Sequence, residues 1–171
     1  DPNIKEWLQF VHDMENVDKS TLPYFEAKAN KASYRDLFFQ GKIAMLPIGT
    51  WMIPEIASTI DKYPHDWVTT FASVPKWKDF PAAASQTNPE YVTIPVTSEH
   101  PEEAVMYAKF LANEGAYIRA SGDPATKTFD TQKVLEYKMG GRPELYDVPA
   151  LGAVLENMVK IQQTNVFDYT K

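Results

Sequence analysis

Between Gly41 and Gly49 the chain runs Lys42-Ile43-Ala44-Met45-Leu46-Pro47-Ile48, and Thr50-Trp51 follows directly. An almost unbroken apolar run held between two glycines is a strong constraint. It has the pattern of a strand covered on both faces, as in a parallel sheet flanked by helices. Upstream, Leu37 and Phe38 give a helix an apolar face, and Gly41 suits the left-handed C′ position that stops it. Gly49 permits a sharp turn, and Thr50 is placed to act as an N-cap for the next helix. Trp51 is then expected at the carboxyl end of a strand, beside free backbone donors. Open α/β sheets gather ligands at that edge.

The rest of the chain is read outward from this stretch. Asp1-Pro2 opens a helix in which Ile4, Trp7, Leu8, Val11 and Met14 fall at helical spacing, so this stripe is expected to face a core. Pro54 lies early enough in the Trp51 helix to be tolerated. Trp67 to Val74 is rich in β-branched and aromatic residues and predicts a second strand; Tyr91 to Val96 predicts a third. The connection between them, residues 75–90, has no helical period. Pro101, Glu102 and Glu103 mark the start of another helix, striped by Ala104, Tyr107, Ala108 and Leu111. Short helices are expected through Ala120 and over Thr131–Tyr137. A last helix carries Leu151, Val154, Leu155 and Met158. The order predicts an α/β fold with few strands flanked by helices.

Composition excludes several functions. A net charge of −6 with no basic cluster argues against a nucleic-acid partner. There is no cysteine, and His12, His65 and His100 lack metal-ligand spacing, so no metal and no cofactor are expected. No apolar run reaches membrane-spanning length. The hydrolase elbow Gly-x-Ser-x-Gly and the phosphate-cradling Gly-x-x-x-x-Gly-Lys are both missing, so no catalytic residue is assigned. Two distant carboxylates would suffice for a glycosidase, so a carbohydrate-active enzyme domain stays open. So does a surface interaction module with no small ligand.

Trp51 is the leading candidate for ligand contact. A sugar presents one apolar C–H face and a rim of hydroxyls, which suits an aromatic plate with hydrogen-bonding groups nearby. The alternative is a core tryptophan at a helix start. Trp77, in the long connection, reads either as a loop anchor or as a second plate; Trp7 and Trp67 read as core.

The order Phe38, Gly41-Lys42-Ile43-Ala44-Met45, Gly49-Thr50-Trp51 resembles the central segment of the family 1 extracellular solute-binding proteins, the ligand-capturing subunits of ABC importers for sugars. Ser98-Glu99-His100-Pro101-Glu102-Glu103-Ala104 through Lys109-Phe110-Leu111 is similar to a later helix of that family, and Gly122-Asp123-Pro124-Ala125 to a later turn. The resemblance implies a middle-to-late fragment of a two-lobed periplasmic-binding-protein-like fold. Residues 1–74 would belong to one lobe, 75–165 to the opposite lobe, and 166–171 to the start of a crossing segment. It implies that Trp51 stacks on a saccharide and that Gly49 and Thr50 add amide or hydroxyl contacts. Asn88 and Tyr91 would face the ligand from the other lobe, although Thr87-Asn88-Pro89 stands where the family usually has a glycine pair. The implied partners are a small saccharide and the ABC permease subunits in the membrane. The implied location is extracellular, either lipid-anchored at the cell surface or periplasmic, with signal peptide and anchor upstream. Uncovered apolar sheet surface would favour self-association of the fragment.

Overall fold

A computed structural model describes residues 1–75, 90–126 and 128–164. The chain divides into two compact units, Asp1–Leu46 and Pro47–Lys171.

The first unit holds three helices: α1 (Pro2–Asn16), α2 (Tyr24–Ala29) and α3 (Tyr34–Phe39). Their ends follow local chemistry. Asp1 Oδ1 accepts the Asn3 N–H at 2.8 Å and caps α1, with Pro2 in its first turn. Ser33 Oγ accepts the Asp36 N–H at 3.3 Å and caps α3. At the other end Gly41 takes φ +68°; its N–H reaches Phe38 O, and Lys42 N–H reaches Leu37 O, each at 2.9 Å. That pair of bonds is the Schellman stop expected of Gly41. Lys31 closes α2 in the same way at φ +49°, with Ala32 N–H on Ala27 O at 2.9 Å, although lysine carries the Cβ that this conformation disfavours. The apolar stripe of α1 does not meet a core. No residue of α1 is buried, and Ile4, Trp7 and Leu8 are each more than half exposed. The periodicity was a correct guide to the helix, but its face is covered only in part, at Val11 and Met14.

The second unit contains a 3₁₀ turn (Thr50–Met52), α4 (Ile53–Ser58), α5 (Pro101–Ala112), α6 (Glu114–Arg119), α7 (Thr131–Met139), a second 3₁₀ turn (Pro143–Leu145) and α8 (Val148–Thr164). α7 is its centre, packing on α4, α6 and α8, while α5 packs on α6. The core joins Met52, Ile53, Ile56 and Ile60 to Val134, Leu135 and Met139, with Leu151 and Leu155 fully buried from α8. The Met158 side chain lies outside the described residues. Asp130 Oδ1 caps α7 through the Lys133 N–H at 3.0 Å, and Gly140 ends it at φ +57°. The expected stripe of α5 contributes no buried residue; Tyr107 is well exposed.

The three expected strands are not formed among the described residues, so the described chain is helical where few strands flanked by helices were anticipated. Residues 43–48 and 90–95 make no ladder, and 67–75 makes one parallel bridge, between Thr69 and Tyr146. Thr69 N–H reaches Leu145 O at 2.9 Å and Asp147 N–H reaches Thr69 O at 2.8 Å. A strand exists only through its neighbours' N–H and C=O groups, and these segments find none beyond that bridge. Trp67 is accordingly not core. It is partly exposed and stacks on His65, with centroids 3.9 Å apart.

Candidate functional site

The site is built on the Gly49–Ile53 corner. Gly49 is extended, and the chain then tightens into the Thr50–Met52 turn, with Met52 N–H on Gly49 O at 3.2 Å. Gly49 itself precedes the turn and Thr50 is its first residue, so Thr50 is not the N-cap expected of it; no side chain caps this end. The turn has a physical consequence for Trp51. Met52 and Ile53 point inward and are buried, while Trp51 stays half-buried and is not absorbed into the core. Its indole folds back over Gly49. A Cβ at residue 49 would lie 2.6 Å from Trp51 Nε1 and 2.7 Å from Cδ1. The missing side chain of Gly49 is therefore what seats the ring edge. Gly49, Thr50 and Trp51 share this turn, but the strand expected to deliver Trp51 at its carboxyl end is not formed among the described residues.

The other candidates are placed differently. Tyr91 is three-quarters exposed on the extended 90–95 segment, and among the described residues no hydrogen bond or ring contact joins it to the Trp51 turn. Trp77 and Asn88, with Gln86 and Thr87, lie outside the described residues. Among the described residues no group of His, Asp or Glu is arranged to hold a metal ion, and no helix is long and apolar enough to cross a membrane.

Two residues that sequence reading passed over organise the surroundings. Tyr146 is buried, 4% exposed. Its hydroxyl accepts the Ala57 N–H at 3.0 Å and donates to Ile53 O at 3.1 Å, with Lys138 O at 3.4 Å on the same side. Burial pushes the phenol up to about 12; the Ala57 N–H pulls the other way, and Glu144 adds to the rise. The ring also stacks on Phe71, at 6.2 Å between centroids. Nothing in the sequence around Tyr146 marks it, because its partners lie 89 and 93 residues away.

Lys138 is the other. It has no exposed surface, and its ammonium donates to Ala120 O at 2.8 Å and to Gly122 O at 3.5 Å. Asp123 Oδ1 stands 3.4 Å away as its counter-charge, without the alignment of a hydrogen bond. Burial lowers the Lys138 pKa, and Asp123 opposes that shift. The Gly122-Asp123-Pro124 turn is thereby fastened to α7, and Ala120 is held left-handed at φ +57°.

The Gly49–Ile53 corner thus sets an aromatic ring beside backbone polar groups, with the buried Met52 and Ile53 beneath it. Comparison with known proteins shows the family. Residues 1–118 match the model of the bacterial extracellular solute-binding proteins, and the chain belongs to that family. It is 34% identical over 129 residues to an uncharacterized ABC transporter extracellular-binding protein of Pyrococcus horikoshii (strain OT-3). The match covers 74% of this chain and 27% of that relative, so the chain spans about a quarter of the relative's length. No solved structure matches the chain.

Proposed function

We propose that this chain is part of the solute-capturing component of an ABC importer, that its ligand is a carbohydrate, and that Trp51 is the plate on which the sugar ring stacks. The observation that carries the reading is the seating of Trp51. The indole is half-buried over Gly49 while its neighbours Met52 and Ile53 are core. A tryptophan held rigidly with part of its face uncovered offers the apolar surface that a sugar's C–H face needs, at little ordering cost. The Gly49 backbone beside the ring and the neighbouring Thr50 hydroxyl are of the chemical type suited to the sugar's hydroxyls. Family membership supports the importer role, and the relative's name supports the transporter class. In this reading the protein is non-catalytic. It works outside the membrane, either lipid-anchored or periplasmic, and delivers its ligand to permease subunits after two lobes close on it. Residues 1–74 and 75–165 would contribute to opposite lobes, with Asn88, Tyr91 and Trp77 on the second. The exposed faces of α1 and α5 favour self-association of the isolated chain.

The test is tryptophan fluorescence during titration with a panel of mono- and oligosaccharides, repeated on Trp51→Ala. A saturable change lost in the variant is expected. If the 171-residue chain is silent, the titration is repeated on a longer natural chain containing it; silence there refutes the carbohydrate reading.

A further inference from the structure

Ile53 C=O and Ala57 N–H are the two ends of the hydrogen bond that would close the first turn of α4. The Tyr146 hydroxyl touches both, receiving the amide proton and returning its own to the carbonyl. It thus bridges the turn that directly follows Trp51 and Met52. Groups inserted into a helix ladder set its local bend. Here a phenol bonds both ends of the first turn, and its own backbone is held in place. Its backbone neighbours Leu145 and Asp147 are bonded to Thr69, and Asp147 Oδ2 accepts from Thr70 Oγ1 at 2.8 Å. The helix that follows Trp51 has only six residues, too few to hold an orientation by its own hydrogen bonds.

We infer that Tyr146 is a positioning residue for Trp51: its hydroxyl fixes the first turn of α4 and through it the direction in which the Thr50–Met52 corner presents the indole. The residue acts on the plate from below and touches no ligand. The inference deepens the ligand-plate reading, and it rests on that reading only for its effect on affinity; its geometric content stands apart. Two features separate it from general core packing. Tyr146→Phe keeps the ring, its stack on Phe71 and every backbone bond to Thr69, so the 67–71 segment should stay in place. Tyr117 offers a matched control in the same unit. It is also buried, and its hydroxyl receives the Asp130 N–H at 3.1 Å, but it tends α6 and α7 and not α4.

The experiment labels the whole chain with 5-fluorotryptophan and follows the fluorine resonances of Trp51 and Trp67, assigned by Trp→Phe substitution, without ligand. Tyr146→Phe is expected to move the Trp51 resonance by more than its linewidth and to leave Trp67 in place; Tyr117→Phe should move neither. An unmoved Trp51 in Tyr146→Phe overturns the inference. So does joint movement of Trp51 and Trp67, or an equal shift of Trp51 in Tyr117→Phe. If Tyr146→Phe does not fold, p-aminophenylalanine at 146 takes its place, with a smaller Trp51 shift in a folded chain expected and no shift overturning. Saccharide titration then follows, on whichever chain binds. Loss of the hydroxyl should weaken binding roughly tenfold, the effect of one lost hydrogen bond passed to the ligand through its plate. If the wild type binds no saccharide while Trp51 still moves, the carbohydrate reading fails and the positioning role stands.

Discussion

Gly49→Ala tests the seat of the plate with the fewest side effects. The backbone at Gly49 has φ −74° and ψ 157°, a conformation alanine adopts without strain. The substitution restricts the unfolded chain and by that route favours folding by about 0.4–1 kcal/mol. Against this stands the new methyl, which would lie 2.6 Å from Trp51 Nε1 and 2.7 Å from Cδ1. Carbon contacts are at rest near ~3.5–4 Å, so the ring must retreat by roughly 1 Å. The obstructing atoms belong to a side chain turning about two bonds, so the indole swings and the backbone holds. An off-rotamer side chain costs about 0.5–1.5 kcal/mol, similar in size and opposite in sign to the backbone gain. Net stability should change by less than about 1 kcal/mol, while Trp51 becomes more accessible. Urea unfolding reads the first quantity. Acrylamide quenching of Trp51 fluorescence, isolated by subtracting a Trp51→Phe spectrum, reads the second. The expected result is a near-native midpoint with stronger quenching and weaker saccharide binding. Unchanged quenching would refute the reasoning about the seat, and a loss above about 2 kcal/mol would show that the corner, not the ring, had yielded.

Three further expectations rest on independent parts of the molecule. Lys138→Met leaves the Asp123 carboxylate buried without its counter-charge and should cost about 3–5 kcal/mol by thermal or urea unfolding; adding Asp123→Asn should recover part of that, and strict additivity of the two would refute the coupling. Lys31→Gly relieves a left-handed lysine at φ +49° and should stabilise the first unit by about 1 kcal/mol, read as reduced amide exchange over α2. For Tyr146, the folded phenol is pushed up from 10.0 to about 12. A raised folded value in an acid means that the protonated state stabilises the fold: its contribution, roughly 2–3 kcal/mol, is complete below pH 10 and is lost between about 10 and 12. The stability difference between wild type and Tyr146→Phe should therefore shrink across that window, and a constant difference would contradict the assignment.

What the sequence revealed and what it hid divide along one physical line. Helix ends were legible because caps and stops are closed within a few residues: Asp1 on Asn3, and Gly41 with its two backbone bonds. The Gly49-Thr50-Trp51 corner was legible for the same reason, although the N-cap role given to Thr50 was not, since a 3₁₀ turn begins there. Burial and pairing were less legible, because each depends on what lies opposite. The α1 stripe predicted the helix and not its covering, and Val68, Val74, Val92 and Val96 favour strands yet remain exposed where no ladder reaches them. Tyr146 and Lys138 were missed because their meaning lies in acceptors far along the chain: Ile53 for one, Ala120 and Gly122 for the other.

These long-range anchors also bear on how so short a corner could hold the plate in the proposed reading. The Thr50–Met52 turn and the six-residue α4 could not hold an orientation alone, since helices this short are unstable in water. Met52, Ile53 and Ile56 bury the inner face, and Gly140 at the end of α7 keeps close approach to α4; a Cβ there would come within 3.3 Å of Ala57 Cβ. Burial fixes which face of α4 points inward but leaves rotation and bend to be chosen. Directional bonds make that choice, and the Tyr146 hydroxyl supplies them at the turn nearest Trp51. Apolar packing thus provides the stability of the corner and one phenol provides its direction. On this division, substitutions in the α4 core should lower stability with little change in the ligand-free Trp51 environment until the unit unfolds, whereas loss of a single oxygen at residue 146 should alter that environment in a chain that is still folded.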